Sequence, residues 1–412
     1  MVHRFNPRSG DLQCLRVGPL APHLAGFAAL LSRQGYCLAS GWGKIRLVAQ
    51  LSKWMQRRRL APNQLDEQKV AVFLNTCRRW IPPHAAGRAT LARLLRHLRQ
   101  SNAIPARSTP IPRDDLGRIE REYEDFLLRQ RGLMPASAKA YLPVVRRFLA
   151  HRFPAGKVRP IALRAADVTD FVLHDSSHRG GQSAHLTAAA LRSFLGFLLQ
   201  QGRVQTNLVA AVPTVARSRL AGLPRFLEPA QVERVVRSCD RRKKMGKRDY
   251  AILLLLARLG LRGGEVLGLT LDDINWRAAE LRIYGKGARV DRLPLPQDVG
   301  QALAAYLQNA RPVSSSRRVF LQSRAPYEPL AGPCCIGDVV RTALARARIC
   351  SAHRGAHLFR HSLATTLLRT GASLAQIGQV LRHQQPETTE IYAKVDLKAL
   401  RALAMPWPGG AS

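Results

Sequence analysis

The sequence predicts a mainly α-helical protein with a small antiparallel β-sheet near its C-terminal end. Apolar residues recur at helical spacing through most of the chain, as in Leu191, Phe194, Leu195 and Leu198. The segment 281–295 differs, because its residues alternate around Gly285-Lys286-Gly287 and indicate a β-hairpin with its turn at the glycines. Together these two patterns place the protein in the α+β class.

Two stretches rich in proline and arginine divide the chain into three parts. They run from about residue 103 to 113 and from 212 to 225, and proline at this density disrupts helices and strands alike. A chain of 412 residues is long enough for two or three domains. We therefore predict domains over 1–110, 115–210 and 225–412.

The first two parts resemble each other. The block Leu30-Leu31, Gly35 and Ala39-Ser40 recurs 97 residues later as Leu127-Leu128, Gly132 and Ala136-Ser137. The leucine pattern at 91–98 recurs at 191–198, and short loop insertions account for the slightly larger offset. This predicts two tandem four-helix units, at about 20–102 and 115–205. The alternative is that leucine-rich amphipathic helices match by chance.

The charge of the chain is strongly unbalanced. It has 65 Lys and Arg residues against 27 Asp and Glu residues, a formal net charge of +38. Such an excess predicts a polyanionic partner, nucleic acid above all. The alternative is a basic protein from a GC-rich genome that uses arginine at solvated positions. Charge alone does not distinguish DNA from RNA or from an anionic membrane.

Membrane insertion and export are not predicted. No apolar run reaches the roughly 18 residues of a membrane span, and the N-terminus does not have the pattern of a secretory signal. The seven cysteines are odd in number and scattered, without paired C-x-x-C spacing. Reduced thiols in a cytoplasmic protein fit this usage best.

Three motifs in the third part carry reactive side chains. The segment LGLRGGE places Arg262 at a glycine-rich bend after an apolar helix. The segment HLFRH places His357 and Arg360 at i and i+3, on one helix face. His383 is followed nine residues later by Tyr392, and Lys286 lies in the predicted hairpin turn.

Each motif alone has an ordinary explanation, such as an ion pair between Arg262 and Glu265 or a packing role for a tyrosine. Gly285-Lys286-Gly287 lacks the G-x-x-x-x-G-K-[ST] pattern, so nucleotide binding is not predicted. His353, His357 and His361 have the spacing of zinc ligands, but Leu358 occupies the position that a zinc peptidase helix gives to glutamate. We therefore predict no metal site.

The motifs gain specificity as an ordered set, which comprises Arg262, Lys286, His357, Arg360, His383 and Tyr392. This set closely resembles the tyrosine recombinase (phage integrase) family. The resemblance covers 225–400 strongly and 115–205 loosely, and leaves 1–102 unexplained. Two departures stand out: Leu381-Arg382-His383 replaces a triplet of a small residue, glycine and histidine, and Arg289 replaces the second lysine of G-K-G-x-K.

The resemblance implies a catalytic C-terminal domain and helical DNA-binding domains that form a clamp, with a SAM-like core-binding domain at 115–210. It implies that Tyr392 is the nucleophile and forms a 3′-phosphotyrosyl bond. Arg262 and Arg360 would bind the phosphate oxygens, because guanidinium groups are bidentate and stay charged. Lys286 would be the general acid and His357 the base, while His383 would hydrogen-bond the phosphate. No cofactor is expected.

The expected partner is double-stranded DNA, bound by a homotetramer in the synaptic complex, with accessory recombination proteins an open question. The extra N-terminal unit favours integration, excision or transposition of a mobile element or plasmid over chromosome dimer resolution. Three alternatives remain open: a catalytically silent DNA-binding member, a monomeric enzyme resembling type IB topoisomerases, and a basic RNA-binding protein.

Overall fold

The computed structural model describes residues 18–76, 84–106, 114–154, 156–179, 181–214, 225–285, 289–383 and 385–395. Their contacts group them into two compact units, one containing 18–106 and 225–395 and the other containing 114–214. Most of both predicted linkers, at 107–113 and 215–224, lies outside the described residues. Within the described ranges, no helix is both long and apolar enough to cross a membrane.

The N-terminal segment is helical. Its helices are α1 (Leu24–Arg33), α2 (Leu38–Arg57), α3 (Glu67–Thr76) and α4 (His84–Gln100). Helix α1 ends before Gly35, whose φ of +79° lies in the left-handed region that favours glycine. Phe27, Phe73 and Leu94 are buried in the core that these helices enclose.

The segment 114–214 has a similar succession of helices. They are α5 (Asp115–Asp125), α6 (Pro135–Arg152), α7 (Ala165–Arg179) and α8 (Gly181–Gln200), and a π-helical turn (Phe126–Gln130) continues α5. Gly132, the counterpart of Gly35 in the sequence comparison, also has a positive φ, of +60°. The matched leucine patterns on α4 and α8 are buried in both segments. The proposed division into three domains stays a prediction, because contacts group 18–106 with the C-terminal residues.

The C-terminal segment carries further helices and the sheet. The helices are α9 (Pro229–Arg237), α10 (Lys244–Leu259), α11 (Gly263–Gly268), α12 (Gln297–Asn309), α13 (Pro333–Arg346), α14 (Ala356–Arg369) and α15 (Leu374–Leu381). Helix α10 is the centre of the core, since its run from Ile252 to Leu256 is at most 1% exposed. A helix that is apolar on every side needs neighbours on every side, and α9, α12, α13 and α14 all contact it.

The sheet is antiparallel and confirms the predicted fold class. Its strands are β1 (Ile274–Asn275), β2 (Glu280–Tyr284) and β3 (Val290–Pro294), in that spatial order. Glu280 pairs with Pro294 and Tyr284 with Val290, so β2 and β3 form the hairpin that the sequence predicts. Residues 286–288, which include the predicted turn residue Lys286, lie outside the described residues.

Candidate active site

Arg262 lies where helix α10 ends and helix α11 begins. The chain turns at Gly260, whose φ is +55°, and a Cβ atom there would lie 2.9 Å from Leu381 and 3.0 Å from Leu363. Glycine is therefore needed both for the backbone conformation and for the close approach. Arg262 follows as the N-cap residue of α11. Its amide and its Nη1 each donate to the Glu265 carboxylate at 2.9 Å.

Arg360 lies on α14 and is only 3% exposed. Its Nη1 donates to the Gly260 carbonyl at 2.7 Å, and its Nη2 donates to the Leu381 carbonyl. The guanidinium therefore joins α14 to the ends of α10 and α15. Burial, reinforced by the positive charges of Arg262 and Arg382, lowers the pKa of Arg360 to about 10. The group still carries its charge at neutral pH.

Arg382 contributes a third guanidinium to the site, which the sequence analysis did not predict. It follows α15 with a φ of +57°, a conformation that is costly for a residue other than glycine. Its side chain is 5% exposed and forms ion pairs with Glu265 at 2.8 Å and Asp291 at 3.8 Å. These ion pairs explain how an arginine is tolerated where the family often has glycine.

Glu265 is the carboxylate that Arg262 and Arg382 share. Burial opposes its ionisation, but the hydrogen bond from the Arg262 amide and the charge of Arg382 outweigh burial and lower its pKa. It is therefore ionised at neutral pH. Two guanidiniums thus share the Glu265 carboxylate while that of Arg360 is hydrogen-bonded to carbonyls, and the excess positive charge suits a phosphate.

Two of the predicted histidines lie within the field of these arginines. Burial, followed by the charges of Arg360 and Arg262, lowers the pKa of His357. The same causes, in the same order, lower the pKa of His383 to about 4. The Nδ1 atom of His383 lies 2.7 Å from the Thr389 Oγ1 atom, which fixes the ring. Both rings are thus predominantly neutral at neutral pH.

Tyr392 is 1% exposed and lies in a 3₁₀ helix, Glu390–Val395. Its Oη atom is 2.9 Å from Nδ1 of His361, and the two rings meet edge to face with centroids 5.6 Å apart. Burial raises the pKa of Tyr392 to about 12, although the charge of Arg360 opposes the shift. In the free protein the hydroxyl is therefore protonated.

His361 is the functional candidate that the sequence analysis missed. It was considered only as a member of a zinc-like spacing with His353 and His357. The signal was present, because His361 is four residues from His357 and shares its helix face. Within the described residues, no group of three or more His, Cys, Asp or Glu side chains is arranged as a metal site.

The structure brings together five of the six predicted site residues. Charges on Arg262 and Arg360 act on both His357 and His383, and the charge of Arg360 acts on Tyr392. Lys286 lies outside the described residues, between strands β2 and β3. The roles of all six stay predictions.

A cleft of about 790 Å³ lies beside these residues. One wall is strand β3, which contributes Arg292 and is preceded by Arg289, and another is helix α15. Arg382 and His383 also line the cleft. The cleft therefore combines apolar walls with cationic side chains.

Known proteins are similar in sequence to this chain. A model of the phage integrase family matches residues 225–398. An integrase/recombinase named y4rA, of Sinorhizobium fredii, is 43% identical over 397 residues, which cover 96% of each chain. The chain belongs to the phage integrase family. The predicted family and its enzyme class, recombinases that break and rejoin DNA strands, are thus confirmed.

More distant members of the family extend the comparison. The tyrosine recombinase XerD of Listeria monocytogenes is 29% identical, over 66% of this chain and 93% of its own. The fold resembles that of the XerH recombinase bound to palindromic difH, with a TM-score of 0.56 at 16% identity over 89% of this chain and 96% of that one. It also resembles the Tn1549 transposon integrase in complex with a circular intermediate DNA, with a TM-score of 0.51 at 18% identity. This match covers 69% of this chain and 98% of that one.

Proposed function

We propose that this phage integrase family member is a site-specific recombinase that cleaves and rejoins DNA through a 3′-phosphotyrosyl bond to Tyr392. One observation carries the assignment of the site: Arg262 and Arg382 share one buried carboxylate, and the charge of the buried Arg360 guanidinium acts on the buried phenol of Tyr392. An excess of fixed positive charge beside a nucleophile is what transfer of a phosphodiester requires.

The reaction exchanges one phosphodiester bond for another. Tyr392 Oη attacks the scissile phosphorus, the bond from phosphorus to the 5′-oxygen breaks, and Arg262 and Arg360 stabilise the charge on the non-bridging oxygens. The phosphotyrosyl ester preserves the bond, and the phenol is a good leaving group when the strand is rejoined. The step therefore needs neither ATP nor hydrolysis.

The departing 5′-oxygen needs a proton, because an alkoxide is a poor leaving group. We assign this role to Lys286, on the basis of the family motif and its place between β2 and β3. His383, whose Nδ1 atom is engaged by Thr389, is assigned to hydrogen-bond the phosphate through Nε2. His357, under the influence of Arg360 and Arg262, belongs to the phosphate-binding side of the site.

The proposed partner is double-stranded DNA, in agreement with the net charge of +38. Exchange between two duplexes cuts four strands, so we propose a homotetramer in the synaptic complex. The helical segments at 18–106 and 114–214 would bind DNA as a clamp, within the cytoplasm. The proposed biological role is integration, excision or transposition of a mobile element or plasmid, with accessory proteins where the target requires them.

A covalent adduct tests this proposal. The purified protein is incubated in EDTA with nicked DNA fragments from the surroundings of its own gene, and the products are separated on a denaturing gel. We expect an adduct with the wild-type protein and none with Tyr392→Phe. Cleavage that requires magnesium would contradict the mechanism. Binding without an adduct on every fragment would instead favour a catalytically silent DNA-binding protein.

A further inference from the structure

The proton of the nucleophile has a single direct partner among the described contacts of Tyr392, the Nδ1 atom of His361. The sequence motif assigned the role of base to His357 instead. We propose that His361 is the residue that accepts the proton of Tyr392 when the DNA strand is cleaved. This inference rests on the proposed function.

The geometry separates the two histidines. Their ring centroids are 6.4 Å apart on α14, and the His361 ring is the one that meets the phenol, at 5.6 Å. His357 lies under the influence of Arg360, Arg262 and Glu265. His361 therefore contacts the attacking oxygen directly, whereas the described interactions of His357 are with the His361 ring and with the charges of Arg360, Arg262 and Glu265.

The ionisation states of the two groups allow the hydrogen bond that proton transfer needs. Burial raises the pKa of Tyr392 to about 12, so the free phenol keeps its proton and can donate it to a neutral imidazole. Burial, then the charges of His357, Arg360 and His353, lower the pKa of His361 to about 4. In the free protein His361 is thus a neutral acceptor, and Tyr392 keeps its proton.

Binding of DNA changes this balance. A phosphate at Arg360 and His357 brings negative charge next to the groups that disfavour protonation of His361. The basicity of His361 rises at the moment when the phosphorus reaches Tyr392. The DNA substrate therefore activates Tyr392, which stays unreactive away from a target site.

The step balances in protons and electron pairs. The electron pair of the O–H bond of Tyr392 forms the bond from Oη to phosphorus, and the proton passes to Nδ1 of His361. The bond from phosphorus to the 5′-oxygen breaks, and that oxygen takes a proton from the ammonium group of Lys286 or from water. In the rejoining step the His361 imidazolium returns its proton to the departing phenolate.

Single-turnover cleavage of a nicked DNA fragment that forms the adduct with wild-type protein tests this role. We expect His361→Phe, which keeps a ring in contact with Tyr392, to form the adduct about 100-fold more slowly at pH 7. The deficit should shrink as the pH rises towards the pKa of the phenol. The matched control is His174→Gln, an exposed histidine on α7, and its rate should stay within about twofold of wild type.

A second variant separates proton transfer from positioning. His361→Asn can still accept a hydrogen bond near the Nδ1 position but cannot hold the proton, so we expect it to be as slow as His361→Phe. Restoration of the wild-type rate by asparagine, or a His361→Phe rate within about threefold of wild type, would overturn the inference while the proposed function stands. Failure of the wild-type protein to form any adduct would overturn both.

Discussion

The bundle at 114–214 and the site around Glu265 use arginine in opposite ways. In the bundle, arginines pair with carboxylates of their own, as in Arg146–Glu120, Arg147–Asp175, Arg152–Asp167 and Arg203–Glu122. At the site, Arg262 and Arg382 share Glu265, while the hydrogen bonds of Arg360 go to the carbonyls of Gly260 and Leu381.

This difference separates arginines that stabilise the fold from arginines that are available to bind a substrate anion. A guanidinium that has its own carboxylate contributes to packing and has little attraction left for a further anion. Guanidiniums that lie together around one carboxylate repel each other, and this repulsion adds to burial in lowering the pKa of Arg360. This repulsion is relieved when an anion binds. Part of the binding free energy for phosphate therefore comes from the relief of repulsion among the arginines.

The largest expected contrast comes from removing one arginine of each kind. We predict that Arg360→Met slows adduct formation about 1000-fold, because a donor aimed at the transition-state charge is lost. Arg147→Met in the bundle should change the rate by less than about threefold, since Arg147 pairs with Asp175. Circular dichroism checks that both variants are folded. Equal losses of the rate of adduct formation in the two variants would contradict the contrast between the bundle and the site.

Removal of the shared carboxylate should destabilise the free protein. Glu265→Gln leaves Arg262 and Arg382 without their close negative charge, and loss of one partner of a buried ion pair costs about 3 kcal/mol. Urea denaturation measures the loss. Sulfate should recover more stability in this variant than in wild type, because it supplies the missing charge.

The matched variant for Glu265→Gln is Asp167→Asn, whose pair with Arg152 is partly exposed. It should lose no more than about 1 kcal/mol. A larger loss for Asp167→Asn, or equal recovery by sulfate in the two variants, would contradict the contrast between the two regions.

The residue that departs from the family pattern should have a smaller effect. Arg382→Gly fits the left-handed backbone but loses the ion pairs to Glu265 and Asp291. We expect about a tenfold slower adduct formation, because α15 and β3 lose a connection beside the phosphate site. Unfolding stability should fall by about 2 kcal/mol, since loss of the buried pair costs about 3 kcal/mol and relief of backbone strain returns about 1 kcal/mol. An unchanged rate would show that Arg382 is dispensable.

A further predicted effect is a pH dependence of stability. The folded pKa values of His361 and His383 are about 4, below their ordinary value of 6.5. The unfolded chain therefore binds protons first, and the stabilisation present above pH 6.5 is lost as the pH falls towards 4. Urea midpoints between pH 7.5 and 4.5 should show a shallower decline for His361→Phe than for wild type. Parallel declines would contradict the assigned cause.

Much of the fold follows from local patterns. Leucine spacing predicts the helices, and the alternation around Gly285 predicts the β2–β3 hairpin, which the structure confirms. The site is different, because its decisive contacts join distant residues. His361 and Tyr392 are 31 residues apart, and Arg382 lies 117 residues from Glu265. The family motif names residues but does not indicate which side chains meet.

Arg382 shows why such contacts escape a sequence comparison. Where the family often has glycine, the motif carries no side chain, so the pattern does not indicate where an arginine would point. Its burial depends on the tertiary arrangement that brings Glu265 of α11 and Asp291 of β3 within reach of the end of α15. Only the folded chain contains this information.

The most direct test of the central claim is the identity of the residue that becomes linked to DNA. Trypsin would release the nucleophile within residues 383–394, since Arg382 precedes this segment and Lys394 ends it. After nuclease treatment of the adduct, we predict that mass spectrometry finds a 3′-linked nucleotide on Tyr392 in this peptide. A nucleotide on any other residue, or an adduct that persists in Tyr392→Phe, would contradict the account.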